Sequence, residues 1–364
     1  MTDSTTANEP GERQDPPGVD VRGLAQWLAT EHPELLDSAD APLDVRLIAG
    51  GRSNLTYRVD GAARPLVLRR PPLGHVLASA HDMFREHRVI SALAGTGVPV
   101  PPVVDVVDDT ETQLVTGTPF FVMEFVEGRV LASRTQNAAF SPAGLARLGA
   151  NLAETLADLH AVDPAAVGLE SFGKPEGYLA RQMSTWHRQY EASRSRELPE
   201  LDRLLEALGD RLPENPRTGI VHGDYRLDNA IVAGEGDEPR IVAVLDWEMA
   251  TLGDPLVDLG MLGLYWGIAD LPGGRAIAPS AVDVEAGHPT FDALVAAYAA
   301  RAGIDVPDLS WYRAFAAAKL AVILEGIHLR FTAGKTVGAG YEHVSALVVP
   351  LANEGLAQLG AAVR

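Results

Sequence analysis

The sequence predicts an α+β fold of two lobes, a small β-rich N-terminal lobe and a larger, mainly helical C-terminal lobe. Three observations predict it. The chain has 364 residues, which at about 150 residues per domain allows two domains or one domain of two lobes. Its first third alternates apolar and polar residues between Gly- and Pro-rich turns, the pattern of short strands. After Gly128 apolar residues recur at helical spacing, interrupted once by a β-rich island, GIVHGDYRLDNAIVAGEGDEPRIVAVLDWEMA.

Taken in order, residues 1–17 are polar and rich in Pro and Gly and read as a disordered tail. Residues 18–125 form the N-lobe. VDVRGLAQWLATE, from Val19, puts Leu24, Trp27 and Leu28 on one helical side. DVRLIAGGRSNLTYRVDG and PLVLRRPP read as strands joined by short turns. AHDMFREHRVISAL has helical spacing through Met83, Phe84, His87, Ile90 and Leu93, and Gly95 and Gly97 stop it. VPVPPVVDVVDD and TPFFVMEFVEG read as two more strands. Residues 126–364 form the C-lobe. Its first helix opens with Ser141 as N-cap and Pro142 in the first turn, and the helices from Tyr178, Glu200, Phe291, Trp311 and Ser345 follow around the island. A cleft between lobes is the expected ligand site.

Composition narrows the function. Hydrophobic residues at 46% and charged residues at 22% describe a folded globular chain. The net charge of −19 repels phosphate backbones and anionic lipid, so neither nucleic acid nor membrane is an expected partner. Cysteine is absent, which excludes disulfides, thiolate catalysis and cysteine metal sites. The N-terminus carries no secretory pattern and no run approaches the roughly 20 apolar residues of a membrane span, so a cytoplasmic location is expected.

The island carries the chemistry. His222-Gly223-Asp224 and Asn229 follow the apolar strand TGIV, and a second strand, RIVAVL, ends at Asp246. As a hairpin, the two strands deliver Asp224, Asn229 and Asp246 to one edge. Three oxygen donors in one place suit Mg²⁺, which takes carboxylates, waters and substrate phosphates. A carboxylate beside such an ion accepts a hydroxyl proton, which is the chemistry of phosphoryl transfer.

HGDYRLDN resembles the H-x-D-x-x-x-x-N catalytic loop of the protein-kinase-like fold, in the HGD form of aminoglycoside and choline phosphotransferases, and LDWEMATLGDPLVDLG resembles the metal-binding segment of the same family. The likeness extends over nearly the whole chain from about Asp44. It implies ATP as phosphoryl donor, with GTP left open, and Mg²⁺ as the ion. Asp224 becomes the catalytic base or the group that orients the acceptor hydroxyl, Asn229 and Asp246 the Mg²⁺ ligands, and His222 a brace for the loop. Asp254 and Asp258 are read as structural, the first capping the helix from Pro255 and the second holding the loop; Glu248 is near enough to Asp246 to reach the ion.

At the nucleotide end GGRSNLTYRV resembles the G-x-x-N-x-x-Y turn of these phosphotransferases through Gly51, Asn54 and Tyr57, with Ser53 offering its N–H or hydroxyl to phosphate. Arg69 stands where the family commonly has Lys, and VLRRPP is similar to the phosphotransferase modules fused to acyl-CoA dehydrogenases. Strand alternation sends Arg70 to the other face. Glu86 is the matching acid for an ion pair with Arg69, and Met123 to Val126 form the hinge, where backbone groups of Glu124 and Val126 meet the adenine.

Trp186, Trp247, Tyr265 and Trp266 are expected to wall the acceptor site, with Lys174, Arg181 and Arg188 as cations for an anionic substrate. The segment VDVEAGHPTFD is too weakly acidic for a polycationic antibiotic, so the acceptor is expected to be another small-molecule alcohol such as a hydroxyacyl-CoA. The competing reading is a nucleotide-binding pseudokinase, to which Arg69 points. A metal-dependent hydrolase lacks its HExxH helix, and a protein kinase lacks its APE-type segment.

Overall fold

Asp20 accepts the N–H of Gly23 at 2.8 Å and opens the first helix, α1 (Val21–Glu31), by the usual N-cap chemistry. The computed structural model describes residues 15–38, 42–48, 54–73, 82–214, 217–334 and 340–360. The chain divides into two compact units, one of Met1–Arg88 and Pro102–Phe125, the other of Val89–Pro101 and Val126–Arg364.

The first unit holds five antiparallel strands, β1 (Asp44–Leu47), β2 (Leu55–Asp60), β3 (Leu66–Arg70), β4 (Val103–Val107) and β5 (Phe120–Glu124), in the order β1-β2-β3-β5-β4. The helix α2 (Met83–Leu93) intervenes between β3 and β4. Period-2 alternation sorts the side chains. Tyr57, Val59, Leu66, Leu68, Phe120 and Val122 form one buried cluster with Leu24, Trp27 and Leu28 of α1. Arg70 shares the parity of Leu66 and Leu68. Arg69 shares that of Val67, on the opposite face.

A second anchor of this unit lies in the loop after β4. The buried carboxylate of Asp109 accepts the backbone N–H groups of Leu114, Val115, Thr116 and Gly117 at 2.6–2.9 Å. The loop so fixed receives the Asp20 N–H at the Val115 carbonyl, 2.7 Å. Residues 1–14 of the expected tail lie outside the described residues; Pro17 is described, and its carbonyl accepts the Tyr57 hydroxyl.

The second unit begins with β6 (Arg129–Val130) and α3 (Pro142–Ala161). Ser141 caps α3 by accepting the Gly144 N–H at 3.0 Å, as its Ser-Pro start predicts. There follow α4 (Tyr178–Ser193), α5 (Pro199–Gly209), β7 (Gly219–Val221), β8 (Ala230–Ala233), β9 (Arg240–Val244) and β10 (Thr251–Gly253). The helices α6 (Leu256–Gly267), α7 (Gly274–Ile277), α8 (Phe291–Ala302), α9 (Ser310–Thr332) and α10 (Val348–Gln358) complete it. The alanine-rich α9 packs against α4, α5, α6 and α10. Gly260 permits its close approach to α6, since a Cβ there would lie 2.5 Å from the Tyr312 carbonyl oxygen.

The expected hairpin of TGIV with RIVAVL does not form. β7 pairs with β10, and β9 pairs with β8 in a three-stranded sheet with β6. The residues straight after Asn229 make a strand of their own, and a short turn returns it to β9, so β9 is already paired. Segment 89–101, read from sequence within the N-lobe, groups with the second unit, where the Pro99 carbonyl accepts the Val244 N–H at 2.8 Å. No helix among the described residues is long and apolar enough to cross a membrane.

Candidate active site

The loop between β7 and β8 is held by buried polar contacts. Asp258, on α6 and fully buried, accepts the N–H of His222 at 2.6 Å and of Gly223 at 2.8 Å. Burial pushes its carboxyl up, but the hydrogen bond and charge of His160, the neighbouring His222 and the Gly223 N–H outweigh burial and hold it below the usual carboxylate range. His160 is fixed in turn by the Tyr298 hydroxyl at 2.8 Å.

The His222 ring bridges two strands' ends. Its Nε2 lies 2.9 Å from the Leu245 carbonyl and its Nδ1 accepts the Asp224 N–H at 3.2 Å, which assigns the proton to Nε2. The ring packs on Trp247 at 4.6 Å. His222 is thus a brace with both nitrogens engaged. Gly223 has φ +90, and a Cβ there would meet Met249 Cβ and carbonyl oxygen at 2.8 Å, so glycine is required on both counts.

Asp224 and Asn229 are brought together. The Asn229 amide nitrogen donates to the Asp224 carbonyl at 2.8 Å and to its carboxylate Oδ2 at 3.1 Å. Register places Asp246 at the same end: Ala230 faces Val244, and the Leu245 N–H donates to the Asn229 carbonyl at 2.8 Å. Asp246 follows directly with φ 65 and ψ 61, one of two described non-glycine residues in the left-handed region. Such backbone costs of order 1–3 kcal/mol and marks a position whose side-chain direction is enforced. Glu248 lies in the following turn, Trp247–Met249.

The donor set fits Mg²⁺. With its nitrogen turned onto Asp224, Asn229 presents its amide oxygen, and Asp246 adds a carboxylate, both hard donors. No three His, Cys, Asp or Glu side chains among the described residues gather closely enough to hold a metal. An ion held here would therefore complete its shell with phosphate oxygens and water.

In the first unit Arg69 Nε meets Glu86 Oε1 at 2.9 Å, and a guanidinium nitrogen reaches Thr56 Oγ1 at 3.3 Å. Glu86 is 2% exposed. Arg70 is committed elsewhere: it donates to the carbonyls of Gly18, Pro71 and Thr116, tying the chain before α1 to the Asp109-bound loop. Asn54 is buried at the entry to β2. Gly51 and Ser53 lie outside the described residues. Glu124 ends β5, paired with Arg64 at 3.0 Å, and its N–H is taken by the Pro102 carbonyl. Val126 is the first residue past that unit.

Of the expected acceptor walls, Trp247 and Trp266 are core, the latter donating to the Pro289 carbonyl at 2.8 Å. Tyr265 carries the Arg226 guanidinium 3.9 Å above its ring, and Arg226 also pairs with Asp228. Arg181 is occupied by the carbonyls of Lys174 and Glu176. Asp254 accepts the Leu256 N–H at 3.1 Å and holds the Tyr312 hydroxyl at 2.7 Å, but the N-cap position of α6 is Pro255, one residue on, so Asp254 is not the expected cap.

Sequence reading missed two residues. His160 sits behind Asp258, and Lys319 of α9 donates to the Gly223 carbonyl at 2.6 Å. The one signal for Lys319 was its isolation, a lysine inside the apolar run AFAAAKLAVIL.

Two strands' ends that converge an Asp, an Asn and a second Asp behind a His-Gly brace define a protein-kinase-like fold of the phosphotransferase type. Residues 44–315 match the phosphotransferase enzyme family, APH, and the chain belongs to that family. A Ralstonia eutropha protein of known structure, provisionally named an aminoglycoside phosphotransferase, is 33% identical with a TM-score of 0.78, over 94% of this chain and 98% of that one. Acyl-CoA dehydrogenase family member 11 of Rattus norvegicus is 35% identical over 341 residues, 93% of this chain and 43% of the relative. The chain spans less than half the length of the acyl-CoA dehydrogenase family relatives it matches. A thermostable mutant of an aminoglycoside phosphotransferase, in ternary complex with AMP-PNP and hygromycin B, shares the fold at 15% identity, with a TM-score of 0.58 over 92% of this chain and 98% of that one.

Proposed function

We propose that the chain is an ATP-dependent kinase that transfers the γ-phosphoryl group to the hydroxyl of a small molecule. One observation carries the reading: the Asn229 amide rests on the Asp224 carboxylate at 3.1 Å, at the same hairpin end that terminates in Asp246. Asp224 orients the acceptor hydroxyl and takes its proton. The acceptor oxygen forms its bond to the γ-phosphorus as the bond to the bridging oxygen breaks and ADP departs. Asn229 and Asp246 hold Mg²⁺, which when bound neutralises the phosphate oxygens. Arg69, fixed by Glu86, presents its positive charge to the nucleotide phosphates, Gly51, Ser53 and Asn54 add to phosphate binding, and backbone groups of Glu124 and Val126 receive the adenine.

The nucleotide reading is supported by the AMP-PNP bound to the distant structural relative. For the acceptor we favour an alcohol other than an aminoglycoside, a hydroxyacyl-CoA ester among them. Support comes from the acyl-CoA dehydrogenase family name of the relatives and from the weakly acidic segment VDVEAGHPTFD, which offers little to a polycation.

A thermal-shift titration tests the site, with ATP and GTP, each with and without Mg²⁺, on wild type and Asp246→Ala. At 100 times its dissociation constant a ligand adds about 2.7 kcal/mol of stability. The expected result is a Mg²⁺-dependent shift with ATP that Asp246→Ala diminishes. Absence of any nucleotide shift contradicts the reading; a shift without phosphoryl transfer supports a pseudokinase instead.

A further inference from the structure

Lys319 is the one buried lysine described, 7% exposed in the middle of α9. Its ammonium donates to the Gly223 carbonyl at 2.6 Å and lies 5.5 Å from the centre of the Trp186 ring on α4. Burying an ammonium costs several kcal/mol unless charge and hydrogen bonds offset it. A carbonyl and an indole face satisfy hydrogen bonding and part of the charge, but a neutral donor would serve the carbonyl as well.

The carboxylates whose charge reaches Lys319 are Asp224 and Asp258. Asp258 already accepts from His222 N–H and Gly223 N–H and faces His160. Asp224 has the Asn229 amide, a neutral donor, on its carboxylate, and the Arg226 charge that also reaches it is already paired with Asp228. Asp224 is therefore the carboxylate in greater need of the Lys319 charge. Burial pulls the Lys319 pKa down, against the pull of these two carboxylates.

The second half of the argument is geometric. The peptide that leads into Asp224 is held at both of its polar atoms, its oxygen by Lys319 Nζ at 2.6 Å and its N–H by His222 Nδ1 at 3.2 Å. Fixing that plane fixes the direction in which the Asp224 side chain leaves the backbone. Gly223 at φ +90 has wide backbone freedom of its own, so the orientation depends on these external contacts.

We propose that Lys319 is a positioning residue for phosphoryl transfer: it clamps the 223–224 peptide and supplies the counter-charge of Asp224. The role in transfer rests on the kinase reading above; the clamp and the charge coupling do not.

The test is a double-variant cycle of Lys319→Met and Asp224→Asn, with Lys319→Arg as the conservative variant, read in two ways. Urea unfolding gives the stability coupling whether or not turnover is found. Lys319→Met should lower the folding equilibrium constant at least fivefold more in the wild-type background than in the Asp224→Asn background, and Lys319→Arg should recover part of the loss. Where MgATP turnover, to water or to a hydroxyl acceptor, is measurable, Lys319→Met should lower kcat at least 30-fold with KM for MgATP changed less than threefold, and should have no further effect on Asp224→Asn. Additive stabilities, or a folded Lys319→Met with wild-type kcat, overturn the proposal. A wild type that folds and couples but turns over no ATP counts against the kinase reading and leaves the coupling standing.

Discussion

Asn229 turns its amide nitrogen onto Asp224, donating to the backbone carbonyl at 2.8 Å and to carboxylate Oδ2 at 3.1 Å. One side chain thereby holds both the carbonyl and the carboxylate of Asp224. Asp246 arrives at that end because β8 and β9 pair in register. Asn229 and Asp246 thus flank one hairpin, and the Asn229 side chain links that hairpin to Asp224 in the loop after β7.

Replacing Asn229 by Ala removes both hydrogen bonds and one hard donor. Misplacement of a catalytic group by about 1 Å costs on the order of 100-fold in rate, so turnover should fall by about that factor and the Mg²⁺ concentration for half-maximal rate should rise. Steady-state kinetics over a Mg²⁺ series checks this; a rate loss with unchanged Mg²⁺ dependence would remove Asn229 from the ion's shell.

The Arg69–Glu86 pair is buried at its acid and half-buried at its guanidinium, with side chains 3% and 13% exposed respectively. Glu86→Gln removes the carboxylate charge from the guanidinium; breaking a fully buried pair costs roughly 3–5 kcal/mol, and this half-buried pair should lose less. The variant should unfold at lower temperature and bind MgATP more weakly. Arg69→Lys keeps the charge but loses the guanidinium's second nitrogen to Thr56, so its affinity should fall between the two. Calorimetry of nucleotide binding orders the three proteins.

Gly223→Ala forces an L side chain to φ +90 with its Cβ 2.8 Å from Met249. Each strain of this kind costs of order 1–3 kcal/mol, and the shift needed to relieve it moves Asp224. Turnover should be lost more completely than stability, a split that activity and urea unfolding on the same preparation resolve.

Asp109 gives the fold a pH dependence of defined sign. Burial pushes its carboxyl up, but the Thr112 hydroxyl and the N–H groups of Thr116, Gly117 and Val115 hold its pKa down from 3.8 to about 2. A folded pKa below the unfolded one adds stability that is present above about pH 4 and lost as pH falls through about 2. The contribution is about 2 kcal/mol. Asp109→Asn should lose that amount at neutral pH and show a flatter stability profile between about pH 4 and 2.

Local chemistry accounts for what was legible in the sequence. Alternation along LVLRR placed Arg69 and Arg70 on opposite faces, and Ser141-Pro142 marked a helix start, because each depends on neighbouring residues alone. The HGDYRLDN and LDW segments made the family readable because their residues lie at the spacing of its motifs. Long-range pairings were not readable. β7 and β10 are three residues each and find one another across the whole β8–β9 hairpin. Lys319 reaches the loop, and His160 reaches Asp258 behind it, from helices distant in sequence, and nothing in an alanine-rich or leucine-rich helix announces which polar residue points inward. VPVPPVVDVVDD read as a strand, and the role of Asp109 just past its end is visible only in the loop that closes on its carboxylate.

The central claim is that Asp224 serves phosphoryl transfer to a hydroxyl. It is tested most directly by ³¹P NMR of wild type and Asp224→Ala incubated with MgATP and a set of hydroxyl acceptors, hydroxyacyl-CoA esters included, with nucleotide binding measured on both. The account predicts a phosphate-ester resonance with wild type alone, while both proteins bind MgATP. Ester formation by Asp224→Ala at the wild-type rate would contradict it.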